Sequence, residues 1–201
     1  MNIPIPESLK RRPRILNLLH LLKLIQPFSA TNERELACLE RHAAGKKLAV
    51  EIGTALGVAA MRIAGKLDPR GKLYCIDPFE EHNPVAKICT RQLRRSGLSD
   101  RVVFIRGFSG QVAHQIPKEC DFMFVDGDHS FDGLKTDWDI VQHCLTPGGI
   151  VCFHDTTIPR EEPDRKFGSV QFFNEVIARH PDFQLLETCY SLNALKRLKQ
   201  T

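Results

Sequence analysis

Short apolar runs alternate with stretches of helical periodicity over most of the chain, beginning at Lys47. Continuous apolar runs indicate strands that are buried on both faces, and apolar residues spaced three and four apart indicate amphipathic helices. The predicted strands are residues 48–52, 72–77, 102–105, 121–126 and 150–155, followed by two closing strands at 183–189 and 192–198. The predicted helices between them are residues 58–67, 86–95 and 133–144. This pattern predicts an α/β fold in which a mostly parallel sheet is covered by helices on both faces.

An amphipathic segment precedes this alternation. Residues 15–25 have helical spacing, and Asn32 followed by Glu35 indicates the start of a second helix. We therefore divide the chain into a helical appendage, residues 1–30, and a domain, residues 31–201. The apolar stripe of the appendage is formed by Ile15, Leu18, Leu19, Leu22 and Ile25. It could cover the domain, a substrate entrance or a second copy of the chain, so a homodimer is one expectation.

Three predicted strands end in residues suited to a nucleoside that carries a cationic or zwitterionic group. Gly53 and Gly57 frame the turn after the first strand, where glycine lets the backbone approach a ligand, and Glu51 places an acid beside it. Asp77 ends the second strand and offers two oxygens to the hydroxyls of a ribose. Ser109 follows the third strand and suits the edge of an adenine ring. The glycine turn alone fits a generic α/β protein equally well, and the order of the three signals makes them specific.

In this order the motifs resemble those of the class I S-adenosylmethionine-dependent methyltransferases, over about residues 47–157. The resemblance implies a Rossmann-like fold with a seven-stranded, mostly parallel sheet, and S-adenosylmethionine as the cofactor. It implies that Gly53 and its neighbours line the methionine part and that Asp77 holds the ribose. Phe108 and Ser109 are implied to flank the adenine. The cofactor-binding residues expected on these grounds are Glu51, Gly53, Thr54, Gly57, Asp77, Phe108, Ser109 and Asp126.

The fourth and fifth predicted strands both end in ionisable side chains, which should face each other in the sheet. Asp126 closes one strand, and His154 and Asp155 close the other. Two carboxylates and an imidazole, without a thiolate, suit Mg²⁺, Mn²⁺ or a similar divalent ion. His129 lies three residues after Asp126 and is placed to act as a base. A metal lowers the pKa of a bound hydroxyl, and a positioned base contributes about 10²–10⁴-fold to a rate.

This pairing resembles that of the metal-dependent O-methyltransferases, which include the catechol and caffeoyl-CoA enzymes and bind the metal through an Asp and an Asp-Asn pair. His154-Asp155 departs from that second pair. The spacing of Asp126 and His129 is closer to O-methyltransferases of antibiotic sugars, in which the His is the catalytic base. The resemblance implies methyl transfer to a hydroxyl of a small-molecule acceptor, a sugar or a phenol. The expected catalytic residues are His129 and His154, and the expected metal ligands are Asp126, His154 and Asp155. His154 remains open as a ligand, a second base or an orienting residue.

Several polar features receive less specific interpretations. Two loops, residues 78–83 and 156–168, are expected to select the acceptor, because long loops at this edge of a sheet commonly carry specificity. A Pro-Gly-Gly turn at residues 147–149 is expected to introduce the fifth strand. On the helix that follows the fourth strand we interpret Trp138 as a packing residue. The acids interpreted there as solvated charge are Asp132, Asp137 and Asp139.

The amino-acid composition mainly excludes other classes of protein and of site. A chain of 201 residues with 42% apolar and 26% charged residues is typical of one globular domain. No apolar stretch reaches the roughly 18 residues of a membrane span. The net charge of +4 comes from basic residues without interleaved aromatic residues, so no nucleic-acid partner is expected. Seven cysteines without a CxxC pair indicate a reducing compartment such as the cytoplasm, with neither disulfides nor a zinc site.

Two alternative functions stay open. A metal-dependent hydrolase would explain the acids and histidines at the strand ends but would leave Glu51 and Asp77 without a role. A cofactor-binding protein without catalysis, acting as a partner subunit through its N-terminal helix, would explain the cofactor residues alone.

Overall fold

The computed structural model of the protein describes residues 12–25, 28–79 and 84–198. The strands are β1 (Leu48–Ile52), β2 (Lys72–Asp77), β3 (Val102–Arg106), β4 (Cys120–Val125), β5 (Leu145–Phe153), β6 (Phe183–Cys189) and β7 (Leu192–Arg197). The α-helices of the described residues are α1 (Pro13–Leu21), α2 (Glu33–Ala43), α3 (Val58–Lys66), α4 (Pro84–Arg95), α5 (Ser109–Val112), α6 (Phe131–Cys144) and α7 (Gly168–Glu175). Single 3-10 turns occur at Ser99–Arg101, Ala113–Gln115 and Ile177–Arg179.

The seven strands form one sheet in the order β3-β2-β1-β4-β5-β7-β6. β7 pairs antiparallel with both of its neighbours, and the remaining pairs are parallel. The strand order reverses between β1 and β4, which creates a crevice at the carboxyl ends of these two strands. The prediction of a seven-stranded, mostly parallel sheet with helices on both faces is therefore confirmed, and the reversal locates the position where such a sheet binds a ligand.

The sheet separates two apolar layers. Side chains alternate along β4, so that Phe122 and Phe124 pack against α2 and α3, whereas Met123 and Val125 pack against α6 and α7. All four side chains are buried. Trp138 packs on this second face, as predicted, with its ring 4.7 Å from that of Phe183. Because both faces are covered, the strand ends are the part of the sheet that remains open to a ligand.

The start of the fifth strand was predicted wrongly, and one helix was missed. β5 begins at Leu145 rather than at residue 150, because the chain leaves α6 directly into a pairing of Leu145 with Cys120. The Pro-Gly-Gly segment lies inside this strand, and the pairing with β4 shifts its register there. The sequence interpretation also missed α7, which buries Phe172 and Phe173 and follows directly on the 156–168 loop.

The N-terminal helix α1 buries a different face from the predicted one. Leu16 and His20 are its buried residues, and His20 Nδ1 lies 3.1 Å from a guanidinium nitrogen of Arg91 on α4. Most of the predicted apolar stripe is exposed, with Leu18 at 53% and Leu22 at 57%. Burial, followed by the charges of two neighbouring arginines, lowers the pKa of His20, so the neutral ring can accept a hydrogen bond. Residues 1–11 of the predicted appendage lie outside the described residues, as do residues 80–83 of the first predicted loop.

Asn32 starts α2 as predicted. Its side-chain oxygen accepts hydrogen bonds from the backbone N–H of Arg34 and Glu35, at 2.9 and 3.0 Å. Glu35 accepts in return from the backbone N–H of Asn32, at 2.9 Å, which completes a capping box. All seven cysteines are free thiols. Within the part of the chain that the structure describes, no helix combines the length and apolar character of a membrane span.

Candidate active site

A cleft of about 630 Å³ opens at the carboxyl edge of the sheet, where the strand order reverses. Its walls come from the segments that follow β1, β2, β3 and β4, and from the inner face of α6. The predicted cofactor residues on these walls are Gly53, Asp77, Phe108, Ser109 and Asp126. The sequence thus placed five residues from four strand ends around one cleft, which has the volume of a site for a small organic ligand.

Gly53 brings the first turn against the end of β4. Its φ of +87° is in the left-handed region, and a Cβ at this position would lie 2.0 Å from the carbonyl oxygen of Asp126. Asp77 secures the same turn, because its Oδ2 accepts the backbone N–H of Thr54 at 3.0 Å and of Ala55 at 2.9 Å. Burial raises the pKa of Asp77, against the effect of these two hydrogen bonds. Since both bonds use Oδ2, Oδ1 is the oxygen available to a ligand in the cleft.

Glu51 lies behind this turn and is fully buried. Its Oε2 accepts a hydrogen bond from the Cys75 thiol at 3.3 Å, whereas Oε1 has no hydrogen-bond partner among the described residues. Burial raises the pKa of Glu51 to about 8. The described walls of the cleft include neither Glu51 nor Thr54 nor Gly57, although Thr54 lines a neighbouring cavity. Glu51 therefore does not line the cleft, and the backbone of the Gly53 turn lies between its carboxyl and a ligand in the cleft.

The raised pKa of the buried Glu51 carboxyl leads to a testable prediction about the stability of the protein. An unfolded Glu ionises near 4.5, whereas Glu51 in the folded protein holds its proton up to about 8. The folded state without ligand is therefore fully favoured below about pH 4.5, and its free energy of unfolding falls as the pH rises towards 8. We expect Glu51→Gln to remove this loss, which a shift from 4.5 to about 8 sets at about 5 kcal/mol, and to be more stable than the native protein above pH 8 by up to that amount.

Urea denaturation at a series of pH values measures this difference. Glu175→Gln is the matched control, because Glu175 is exposed on α7. An equal pH dependence in Glu51→Gln and the native protein would contradict the assignment.

Asp137 is a cleft residue that the sequence interpretation misplaced. We expected it on a solvated face, but it is buried on the inner face of α6, and its Oδ1 accepts a hydrogen bond from Ser109 Oγ at 2.5 Å. Burial raises the pKa of Asp137 to about 6. Leu134, Trp138 and Val141 are buried on the same helix at neighbouring helical positions, so periodicity was the signal that could have found it. The interpretation of Asp132 and Asp139 as exposed charge is confirmed.

A group of four ionisable side chains lies at one end of the cleft, and we call it the strand-end cluster: Asp126, His129, His154 and Asp155. His154 Nδ1 is 2.9 Å from Asp126 Oδ1 and 3.6 Å from Asp155 Oδ2. His129 Nε2 is 3.8 Å from Asp126 Oδ1 and 3.7 Å from Asp155 Oδ2. Adjacent parallel strands therefore bring the predicted residues together as expected. Asp126 belongs to both the cluster and the cleft.

His154 is held from behind by a residue that the sequence interpretation used only as a helix signal. Its Nε2 lies 3.3 Å from Glu35 Oε2, and Glu35 Oε1 also accepts from the Ser191 hydroxyl at 2.6 Å. Burial lowers the pKa of His154, but the carboxylates of Asp126 and Glu35 outweigh it and raise the pKa to about 10. The imidazole thus carries the positive charge that balances the surrounding acids.

Two buried polar atoms of the cluster have no hydrogen-bond partner among the described residues, His154 Nδ1 and Asp155 Oδ1. His154 Nδ1 is close to Asp126, but not in line for a hydrogen bond. Asp155 has a φ of +50°, in the left-handed region that residues other than glycine enter infrequently. Asp126, His129 and His154 each offer an atom within 4.8 Å of the other two. His154 belongs both to the unpartnered atoms and to this converging group, whereas Asp155 is outside the converging group. Imidazole nitrogen and carboxylate oxygen atoms of this kind fit a divalent ion.

The loop after β5 forms the outer side of the cluster. The Arg165 guanidinium lies 3.3 Å from Asp155 Oδ2 and also stacks on the Phe167 ring, 4.7 Å from its centroid. The Phe167 and His129 rings are 5.3 Å apart. His129 has a side chain that is 34% exposed, which makes it the more accessible of the two histidines. The ring of Phe167 is therefore placed beside the surface that an acceptor would approach.

A second, smaller cavity of about 320 Å³ meets the cleft at Gly53, Ala55 and Asp126. Its other walls are mostly apolar and include Leu16 of α1 and Phe28. The N-terminal segment therefore contributes to the surroundings of the site, which matches one of the three positions considered for it.

Comparison with known proteins assigns the family. The sequence profile described as a methyltransferase domain matches residues 50–156, more than half of the chain. The chain belongs to this family. This confirms the methyltransferase resemblance drawn from the sequence, and the matched segment includes the predicted cofactor residues as well as His129, His154 and Asp155.

The catechol O-methyltransferase of Bos taurus is 32% identical over 120 residues, which are 57% of this chain and 43% of that protein. This chain thus spans less than half the length of that curated relative.

Solved structures share the fold along almost the whole chain. An O-methyltransferase from Bacillus cereus in complex with SAH has a TM-score of 0.69 at 23% identity, over 98% of this chain and 93% of that one. The O-methyltransferase TomG from Streptomyces achromogenes, in complex with SAM, has a TM-score of 0.66 at 20% identity, over 98% and 92% of the two chains. At these identities the matches show a common fold.

Proposed function

We propose that the protein transfers the methyl group of S-adenosylmethionine to a hydroxyl of a small molecule, with a divalent metal and His129 as the base. The observation that carries the proposal is the position of Asp126, which lines the cofactor cleft and also belongs to the strand-end cluster. A methyl donor in the cleft and an acceptor at the cluster would therefore be neighbours. The relatedness to a catechol O-methyltransferase supports a phenolic hydroxyl as the acceptor, and a sugar hydroxyl is the second candidate.

The cleft residues suit the parts of the cofactor, which supplies an electrophilic methyl group on a sulfonium. The backbone of the Gly53 turn would receive the methionine part, and Asp77 would provide negative potential near the cationic group. Glu51 would add to this potential once the bound cation favours loss of its proton. Asp77 Oδ1 would accept a ribose hydroxyl. Phe108 would cover the adenine, and Ser109 would contact its edge while Asp137 orients the hydroxyl of Ser109. Thr54 and Gly57 would act through the shape of the turn.

We assign Asp126, His154 and Asp155 to the metal and His129 to proton transfer. The unpartnered atoms of His154 and Asp155, together with the carboxylate of Asp126, supply an imidazole nitrogen and oxygens of the kind that Mg²⁺ and Mn²⁺ accept. The metal would lower the pKa of the acceptor hydroxyl. His129 Nε2 would take the proton of that hydroxyl, and Asp126 and Asp155 would stabilise the imidazolium that results.

Chelation tests this proposal. We expect a panel of catechols and sugars to reveal turnover that is mostly lost after treatment with EDTA and is restored by Mg²⁺ or Mn²⁺. Calorimetry with S-adenosylhomocysteine should give the same affinity before and after chelation, since the cleft residues bind the cofactor.

The other outcomes separate the alternatives. Activity that EDTA leaves unchanged would remove the metal from the proposal. The absence of S-adenosylhomocysteine binding at millimolar concentration would favour the hydrolase, and tight binding without turnover on any acceptor would favour a non-catalytic partner subunit.

We further propose a division into an N-terminal helical appendage, residues 1–30, and a methyltransferase domain, residues 31–201. The exposed leucines of α1 support a homodimer. The seven free thiols support a reducing location such as the cytoplasm. A small molecule, rather than a nucleic acid, is the proposed acceptor.

A further inference from the structure

A second group of ligand-type side chains lies on the α2 face of the sheet, outside the cleft. We call it the α2 thiol cluster: Cys38, His42 and Glu187. Cys38 Sγ is 3.5 Å from Glu187 Oε1, and His42 Nε2 is 2.7 Å from the same oxygen. The three ligand atoms lie within 4.8 Å of one another. None of them belongs to the strand-end cluster or to the cleft walls.

The fold explains why these residues meet. Cys38 and His42 are four residues apart on α2 and therefore share one helix face. In the sheet, Ala194 of β7 lies in register between Cys152 of β5 and Glu187 of β6. The small side chain of Ala194 leaves space above β7, and the Cys38 side of α2 packs there, on the face that also contains Cys152.

We propose that Cys38, His42 and Glu187 form a binding site for a soft divalent ion of the Zn²⁺ type. Tetrahedral zinc with bonds of about 2.0–2.3 Å separates a sulfur and an oxygen ligand by about 3.5 Å. Cys38 Sγ and Glu187 Oε1 already have this separation of 3.5 Å. His42 Nε2 would have to move outward by a fraction of an ångström. A thiolate and a carboxylate balance the charge of a divalent ion.

The protonation of the cluster suits a metal that displaces protons. Interaction with the Cys152 thiol, and with His42, holds the pKa of Cys38 down at about 6, against the effect of burial. Cys38 in turn raises the pKa of His42. The thiolate is the form of cysteine that binds zinc, and the ion would take the place of the proton on His42. The sequence interpretation excluded zinc because no CxxC pair is present, whereas these ligands come from a helix and a distant strand.

A purely structural ion pair is the competing explanation. Arg41 donates to both carboxylate oxygens of Glu187, at 3.0 and 2.9 Å. The Arg41 side chain is 56% exposed, and a surface pair of this kind contributes little to stability. An ion pair alone also gives no role to the buried thiol of Cys38.

Cobalt spectroscopy of the full-length protein tests the proposal. After chelation, titration with Co²⁺ should give a sulfur-to-cobalt charge-transfer band that saturates at one equivalent and disappears on addition of Zn²⁺. The strand-end cluster contains no thiolate, so a metal bound there gives no such band. We expect His129→Ala to keep the band and Cys38→Ser to lose it, with Cys144→Ser as the cysteine control.

Two further variants keep the test decisive if Cys38→Ser is unstable. Glu187→Gln should lower the affinity for Zn²⁺ at least about tenfold. Arg41→Ala breaks the same ion pair but removes no ligand, so it should not lower the affinity for Zn²⁺. The absence of a band in the native protein, a band that survives Cys38→Ser, or equal effects of Glu187→Gln and Arg41→Ala would overturn the proposal.

Discussion

Replacement of His129 by alanine is expected to lower kcat by about 10²–10⁴-fold, the usual contribution of a positioned base. His129 is the accessible imidazole of the strand-end cluster, and its Nε2 lies 3.8 and 3.7 Å from two carboxylates that would stabilise the imidazolium. A neutral hydroxyl attacks a methyl group poorly, so loss of the base should affect the chemical step more than binding. Steady-state kinetics at saturating S-adenosylmethionine, with the best acceptor of the panel, measures the change.

Two controls separate catalysis from folding. S-adenosylhomocysteine should bind His129→Ala with native affinity, because the cofactor contacts proposed above come from other residues. His114→Ala removes an exposed imidazole from the Ala113–Gln115 turn and should retain native kcat. A native kcat in His129→Ala would assign proton transfer to another group. Loss of cofactor binding would make His129 a binding residue.

The central strands could be predicted from the sequence because their burial is two-sided, whereas the edge strand β6 is mostly exposed. In β1 the run LAVEI contains no break, and its bounds were predicted to the residue, as were those of β2 and β6. β5 was different, because a Pro-Gly-Gly segment normally marks a turn. Here this segment pairs with the end of β4 through a register shift, and local sequence contains no trace of that pairing.

The residues of the site could be predicted from the sequence where they lie at the same edge of the sheet. The ends of β4 and β5 are neighbours in any sheet of this order, so Asp126 and His154 could be brought together from the sequence. Glu35 could not, because it is 119 residues away from His154 and belongs to a helix whose crossing position depends on packing. The contact of Arg165 with Asp155 could not be predicted either, because it follows from the path of the 156–168 loop.

Glu51 shows a second reason why the sequence does not predict the whole site. The sequence places Glu51 beside the glycine turn, but a strand residue points to one face or the other, and the motif does not say which. The structure turns its carboxyl towards Cys75, inside the protein. Its effect on a ligand is consequently an effect of charge behind the backbone, which a motif cannot distinguish from direct contact.

Glu35→Gln is expected to lower metal affinity and kcat/KM by about 10–100-fold, although Glu35 has no place on the described walls of the cleft. Burial raises the pKa of Glu35, but hydrogen bonds with His154 and Ser191 outweigh it, so the net shift is downward and the carboxylate is charged. When a metal replaces the proton on Nδ1 of His154, Glu35 would hold the remaining proton on Nε2. The neutral amide would still accept a hydrogen bond, but it would no longer enforce that tautomer.

The measurement must distinguish positioning from a general loss of stability. The ¹⁵N chemical shifts of His154 report its tautomer directly, and we expect them to change in Glu35→Gln. Ser191→Ala is the matched control, because it removes the 2.6 Å hydrogen bond to Oε1 of Glu35 but keeps the contact of Oε2 with His154. Each variant should lose about 1–3 kcal/mol of unfolding free energy. Only Glu35→Gln should lose metal affinity, and an equal loss in Ser191→Ala would reduce the role of Glu35 to holding α2 in place.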